Sequence, residues 1–246
     1  MSAPCALPIA CANRCAPVPF VVSGPRFITY VESVYQKVLL GDIAARWGVR
    51  NVQALRVLMK KVAETVRGKV SYTALHGMLR ARGMPVSKDA VIDYISYAKE
   101  AFLIFKIQNA VAKFVERQGS PKYYFSDNGL LNLFLRDKDT ALQENEVAVA
   151  LHDVYGDGVF YLKSPRTGID VDFYVPDEGL AIQVAYSIQG EARQREVGSL
   201  TRLVAVQPDM RRLVIVTKQE REEIVEDGVK IEVIPCWRFL LQLAGA

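Results

Sequence analysis

The chain is 246 residues long, half of it apolar and 24% charged, with a formal net charge of +4. That length supports one or two domains with cores of their own and excludes a disulfide-stapled peptide, while the balance of residues excludes a disordered or low-complexity chain. No apolar run reaches the roughly 18 uncharged residues of a membrane helix, so no membrane partner is expected.

Four cysteines (Cys5, Cys11, Cys15, Cys236) and two histidines (His76, His152) are too few and too scattered for a zinc ribbon or a hydrolase triad. They read as reduced thiols of a cytoplasmic protein. The charge is unevenly placed: residues 1–126 carry 18 Lys and Arg against 7 Asp and Glu, and residues 127–246 carry 13 against 20. A basic half is the electrostatic footprint of a nucleic-acid contact, with a solvated basic face as the alternative.

Residues 1–25 hold Arg14 as their only charge among five prolines and three cysteines, and read as a flexible tail. They lack the leading positive charge of a signal peptide. From Phe27 the apolar spacing turns helical, first over FITYVESVYQKVLLGDIAARWGV and then over NVQALRVLMKKVAETV, where Asn51 is a natural N-cap. The run RGKVS at Arg67 to Ser71 falls short of a phosphate-binding loop. Ala63 stands where the first glycine is needed, Val70 where Ser or Thr is needed, and a helix leads in, so no ATP binding is expected.

Ser71 opens a short helix with Tyr72, Leu75 and Leu79 on one face. Ser87 caps KDAVIDYISYAKEAF, whose expected buried stripe is Val91, Ile92, Ile95 and Ala98. Two strand-like runs follow, LIFKIQNAV and KYYFSD, joined through ERQGSP. Helices followed by a basic hairpin predict a winged-helix domain over residues 26–126. Asp89, Asp93, Ser96 and Glu100 line an outward face of its third helix, where carboxylates would repel phosphate, so base readout is not expected. The expected contacts with the DNA backbone are Lys88, Lys99, Lys106, Lys113, Arg117 and Lys122. A winged helix used for protein contacts is the equal alternative.

Residues 127–246 read as a second, α/β unit. QENEVAVALHDVY is a helix and VFYLKS a strand; IDVDFYV alternates, with Ile169, Val171, Phe173 and Val175 on one side and Asp170, Asp172 and Tyr174 on the other. LAIQVAYS is the neighbouring antiparallel strand. A helix from Glu191, the strands RLVIVTK and VKIEVIP, and the helix CWRFLLQL complete a mixed sheet flanked by helices, in the order of a restriction-endonuclease-like fold. A nuclease of that kind needs an Asp on one strand and Glu-x-Lys on the next, often with a Glu from a helix, to hold a divalent cation and stabilise charge on phosphate. Here Glu144 and Asp172 are present, but the Glu-x-Lys positions read Gln183 and Ala185. Glu144, Asp172 and Gln183 are therefore expected to form a remnant site without cutting power. Glu144 and Asp172 would bind Mg²⁺ or Mn²⁺ weakly at best, and no resident cofactor is expected. Pairing of Asp170 and Asp172 with Lys163, Arg166 or Arg193 is the purely structural alternative.

The stretches VESVYQKVLLGDIAARWGVRN, KYYFSDNGLLN, QENEVAVAL, IDVDFYV and IQVAYSI, in this order, resemble the C-terminal half of a large group of archaeal and bacterial AAA+ ATPases. In that group a nucleotide-binding domain precedes a winged helix and a degenerate PD-(D/E)xK nuclease-like domain. The resemblance implies that Asp127 and Gly129 form the group's DxGL turn, Glu144 and Asn145 its EN pair, Asp172 its Asp-Phe strand and Gln183 its QV strand. Any ATP-driven role would then be exercised through a partner, and a protein partner or a homo-oligomer is an alternative expectation beside DNA. A weak metal-dependent nuclease using Glu144 and Asp172, and an interaction or oligomerisation module of an ATPase-type system, suggested by the acidic face of the third helix and the apolar helix around Trp237, Phe239 and Leu240, are the rival expectations.

Overall fold

In the computed structural model, which describes residues 25–110, 121–135 and 139–245, the periodicities of the first half become four helices. They are α1 (Pro25–Lys37), α2 (Val52–Glu64), α3 (Tyr72–Ala81) and α4 (Lys88–Glu100). The helix read from Phe27 onward is not uniform: after Lys37 it widens to π winding over Val38–Ala45, which buries Leu39 and Ile43. The local stop and start signals hold. Asn51 Oδ1 accepts from the Ala54 N–H at 2.9 Å and Ser87 Oγ from the Ala90 N–H at 3.0 Å. On α4 the buried stripe is Val91, Tyr94, Ile95 and Ala98, while Ile92 is 37% exposed. Spacings of three, four and seven from Val91 lie on one side of a helix, whereas the adjacent position does not.

The rest of the chain forms one mixed sheet of eight strands. It comprises β1 (Ile104–Asn109), β2 (Lys122–Phe125), β3 (Phe160–Ser164), β4 (Ile169–Val175), β5 (Leu180–Val184), β6 (Arg212–Thr217), β7 (Glu222–Glu226) and β8 (Val229–Pro235). The spatial order is β2-β1-β3-β4-β5-β6-β8-β7. β1 and β2 pair antiparallel, as expected of a hairpin, and the far end of β1 pairs in parallel with β3. One sheet thus takes strands from both sides of residue 126, where the charge changes sign. β3, β4 and β5 are antiparallel neighbours; β5, β6 and β8 are parallel. The outermost strand, β7, carries Glu222, Glu223 and Glu226 and buries only Ile224. Its charges hide it from an apolar-pattern reading and protect a sheet edge from pairing with another chain.

Helices α5 (Asn128–Asn132), α6 (Asp139–Tyr155), α7 (Glu191–Val206) and α8 (Cys236–Leu243) complete the chain. Two apolar clusters form, one holding Ile182, Val214 and residues of α6, the other Ala181, Ile215 and residues of α7. Consecutive residues of β5 and β6 alternate between them, so the clusters lie on the two faces of the sheet.

β4 does not keep the alternation its sequence suggests. Ile169 and Val171 pack with the α7 cluster, but Phe173 and Val175 pack with the α6 cluster. The register against β3 slips between the Phe160–Tyr174 and Leu162–Val171 pairs, so Asp172 and Phe173 together stand opposite Tyr161. That is a β-bulge, and one inserted residue moves every later side chain to the other face.

Candidate functional site

The helix that supplies Glu144 is fixed by its neighbour. Asn145, wholly buried, accepts the Phe125 N–H at 2.8 Å and donates to the Phe125 carbonyl and to Asn128 Oδ1, both at 2.9 Å. One amide thus clamps α6 to the end of β2 and the start of α5. Asp127 caps α5 through the Leu130 N–H at 3.1 Å, and a Cβ at position 129 would lie 2.8 Å from the capping oxygen, so a side chain there would push the cap aside. The EN pair and the DNGL turn are therefore one docking device that aims Glu144.

Glu144, Asp172 and Gln183, expected as the remnant site, do come together in one open pocket of about 390 Å³. Beyond the Phe173–Ile182 pair, side chains take over from the ladder between β4 and β5. The Asp172 N–H donates to Gln183 Oε1 at 3.0 Å, Gln183 Nε2 donates to the Asp170 carbonyl at 2.7 Å, and the Val184 N–H donates to Asp172 Oδ2 at 3.0 Å. Gln183 is thereby a strand-to-strand clasp with both ends of its amide occupied.

Lys122 is the main correction. Expected on the wing against phosphate, it is 5% exposed and its ammonium lies 3.4 Å from Asp172 Oδ1 and 3.5 Å from Glu144 Oε1. A backbone bridge between Lys69 and Lys122 ties the start of β2 to the segment joining α2 to α3, which brings Arg67 alongside. Arg67 Nε donates to Glu144 Oε2 at 2.9 Å and the Tyr124 hydroxyl to Glu144 Oε1 at 2.9 Å. Burial alone would lower the Lys122 pKa, but Asp172 and Glu144 outweigh it and hold it above its ordinary value. Burial, reinforced by Asp172, raises the Glu144 pKa against the pull of Lys122 and Arg67. Burial and the same two carboxylates push Tyr124 well up, so it stays a neutral donor.

A divalent cation does not fit this arrangement. Glu144 and Asp172 present their oxygens to Lys122, Arg67, Tyr124 and the Val184 N–H, and Gln183 Oε1 is taken by β4. Lys122 stands where Mg²⁺ or Mn²⁺ would bridge the two acids. Among the described residues no group of three or more His, Cys, Asp or Glu is placed to hold a metal ion.

Of the remaining pocket contacts, the pairing of Lys163 with Asp170 is the one the structural alternative expected, whereas Arg195, Glu196 and Ser199 carried no sequence signal. Arg195 Nε donates to Glu196 Oε1 at 2.9 Å, Lys163 pairs with Asp170, and Ser199 Oγ accepts the Asp170 N–H and donates to its carbonyl, both at 2.8 Å, fixing α7 on β4. Each carboxylate lining the pocket, Glu144, Asp170, Asp172 or Glu196, already has a cation beside it. Lys69 and Arg202 line the same pocket with no carboxylate partner among the described residues. Arg202 Nε donates to the Gly168 carbonyl at 3.1 Å. The near-miss RGK run was thus the legible trace of this site, although it does not form a phosphate loop.

The other expected cations are dispersed. Lys88 is exposed at the start of α4, eleven residues or roughly 16 Å along the helix from Lys99. Lys99 faces Lys106, and burial, with that neighbouring charge, lowers its pKa. Lys113, Arg117 and residues 1–24 of the expected tail lie outside the described residues. On α8, Phe239 is fully buried and, of the large apolar residues, only Trp237, at 50%, and Leu241 are exposed, so the expected apolar contact is narrower than the sequence suggests. No helix among the described residues is long and apolar enough to cross a membrane.

Residues 22–141 match the family model of a domain of unknown function, DUF8612. The chain is 24% identical over 221 residues to an uncharacterized protein of Methanocaldococcus jannaschii, covering 86% of this chain and 49% of that one. It is 22% identical over 218 residues to an uncharacterized protein of Haemophilus influenzae, covering 85% and 52%. The chain therefore spans about half the length of these curated relatives. No solved structure matches it.

Proposed function

We propose that this is a cytoplasmic, nucleic-acid-associated protein that binds DNA phosphates without cutting them: a winged helix joined to a nuclease-like sheet whose acids have been turned to structural use. The observation that carries the reading is the position of Lys122 between Glu144 and Asp172. It neutralises internally the pair that a nuclease would give to metal, while Lys69 and Arg202 remain available to an anion. The winged-helix part is supported by the sequence of α2, a bridged segment, α3, α4 and a hairpin, the bridged segment pairing with the second hairpin strand at Lys69 and Lys122.

The test is retention of a single-stranded and a duplex oligonucleotide across a salt series, with Mn²⁺ cleavage measured alongside. Retention that weakens steadily with salt, and cleavage no greater than that of Asp172→Ala, are the expected results. No retention at low salt, or Mn²⁺-dependent cutting that Asp172→Ala abolishes, overturns the reading.

A further inference from the structure

The first pocket, built around Glu144 and Asp172, is lined by six cations and four carboxylates. Arg67 and Lys122 lie against Glu144 and Asp172, Lys163 against Asp170 and Arg195 against Glu196, so three internally neutral sets form. Lys69 and Arg202 are left over, and the pocket carries two uncommitted positive charges. Arg202 is also seated. Its Nε donates to the carbonyl of Gly168, the last residue of the turn joining β3 to β4, which stands at φ +67°. On α7 a Cβ at Gly198 would lie 3.3 Å from Arg202 Nη1. The two glycines give the guanidinium its place, and the bond through Nε leaves the two Nη nitrogens as a planar fork of the kind that takes two oxygens of one phosphate. Buried side chains, Lys122, Glu144 and Gln183, close the floor. A second pocket, of about 610 Å³, adjoins the first at Lys69, and its described lining residues include Arg166 and no acid.

We infer that the first pocket receives a terminal phosphate, a monoester, in preference to the diester of a running strand. The inference rests on the nucleic-acid reading above and adds to it which phosphate is recognised. A monoester carries about two negative charges above its second pKa of about 6, which matches the two uncommitted cations, whereas an internal diester brings one. A recess with a closed floor admits an end. A continuous strand would have to cross it and carry its further phosphates over a half of the chain that holds 20 acids against 13 bases. An end leaves the remaining strand free to depart through the acid-free second pocket.

The experiment compares three oligothymidylates by fluorescence anisotropy at pH 8 and one salt concentration, each labelled at the end not under test. Two are about eight nucleotides long, a length typical of single-strand sites, one with a 5′-phosphate and one with a 3′-phosphate. The third is hydroxyl-ended and longer by about two nucleotides, which gives it the same charge. A phosphorylated strand should bind about tenfold more tightly than the hydroxyl-ended one, the worth of one charge-assisted hydrogen bond, and the strand that does so identifies the end. Lys69→Gln with Arg202→Gln, both at exposed positions, should remove that preference. Gly198→Val, which displaces the fork at unchanged net charge, should remove most of it, and Arg195→Gln should keep it. Equal binding of all three strands, or a preference that survives either of the first two changes, overturns the inference and leaves phosphate binding standing. Retention of no strand, with thymidine monophosphate bound by the wild type and lost with Lys69→Gln and Arg202→Gln, keeps the monoester site with a free nucleotide as its source and removes the polynucleotide reading. Binding of none of these ligands removes both.

Discussion

Removing the Lys122 ammonium would leave Glu144 and Asp172 facing each other across a desolvated gap. Breaking a buried charge pair from one side costs about 3–5 kcal/mol, so Lys122→Met, which keeps the aliphatic stem, should lower the melting temperature substantially. Mn²⁺ should restore part of that loss in the variant and none in the wild type, because a cation that enters the vacated place binds only the folded state. An unchanged melting temperature would show that the ammonium is not what holds the acids together. Glu196 offers a pH test. Burial, with Asp172 nearby, raises its pKa above the ordinary 4.5, Arg195 opposing. A carboxyl raised in the folded state costs nothing below its unfolded pKa and costs stability as pH climbs through the folded one. Glu196→Gln should therefore match the wild type in acid and melt above it toward neutrality, since the partner Arg195 is 70% exposed and the lost pair is worth little. A wild type that stays the more stable at neutral pH would sink this account. At this scale the charges were legible in the sequence, and so was one pair, Lys163 with Asp170, but the partners of Lys122 were not. Nothing local to Lys122 says that its first contacts come from α6 and β4, 22 and 50 residues away.

At the scale of elements, caps and strand types were readable because they depend on a few adjacent residues. The N-caps at Asn51 and Ser87 are of this kind. The bulge at Asp172 and Phe173 was not readable, because it exists only in the pairing with β3, and the sequence of β4 alone alternates cleanly. Bulges commonly re-aim a side chain beside a functional site, and this one delivers Asp172 to Lys122. Gln183 then carries the load where the β4–β5 ladder gives way, a role that needs a donor and an acceptor on one side chain and so suits an amide but not an ionised acid. Gln183→Glu would remove one of the two donors to the Asp170 carbonyl, leaving Ser199 Oγ, and would set a third carboxylate near Asp172. About 0.5–1.5 kcal/mol should be lost for that hydrogen bond alone. The introduced acid would titrate high, so the loss should be present at neutral pH and shrink on acidification as the protonated form regains a donor. A variant as stable as the wild type at pH 7 would show that the clasp is dispensable. Asn145→Ala, which strips three hydrogen bonds from the junction of α6, β2 and α5, should cost at least as much in a urea titration, and an unchanged midpoint would mean the amide clamp is incidental.

Over the whole molecule, net charge is a poor guide to where an anion would sit, because most cations of the first pocket are already committed to carboxylates. Paired and unpaired cations therefore make different predictions. Binding to a single strand loses affinity with a logarithmic salt slope of roughly 0.7 for each phosphate neutralised. Lys69→Gln and Arg202→Gln should each reduce that slope by about 0.7, and the double variant by about twice as much. Arg195→Gln removes the same formal charge a short distance away, yet should leave the slope nearly unchanged, since Glu196 already neutralises that guanidinium. Lys88→Gln separates the two halves of the proposal. A slope reduced at Lys88 but not at Lys69 or Arg202 would move the phosphate track to α4, despite Asp89 and Asp93 beside it, and would take the pocket out of DNA binding. The reverse pattern assigns the track to the first pocket, where bulge, clasp and unpaired cations coincide.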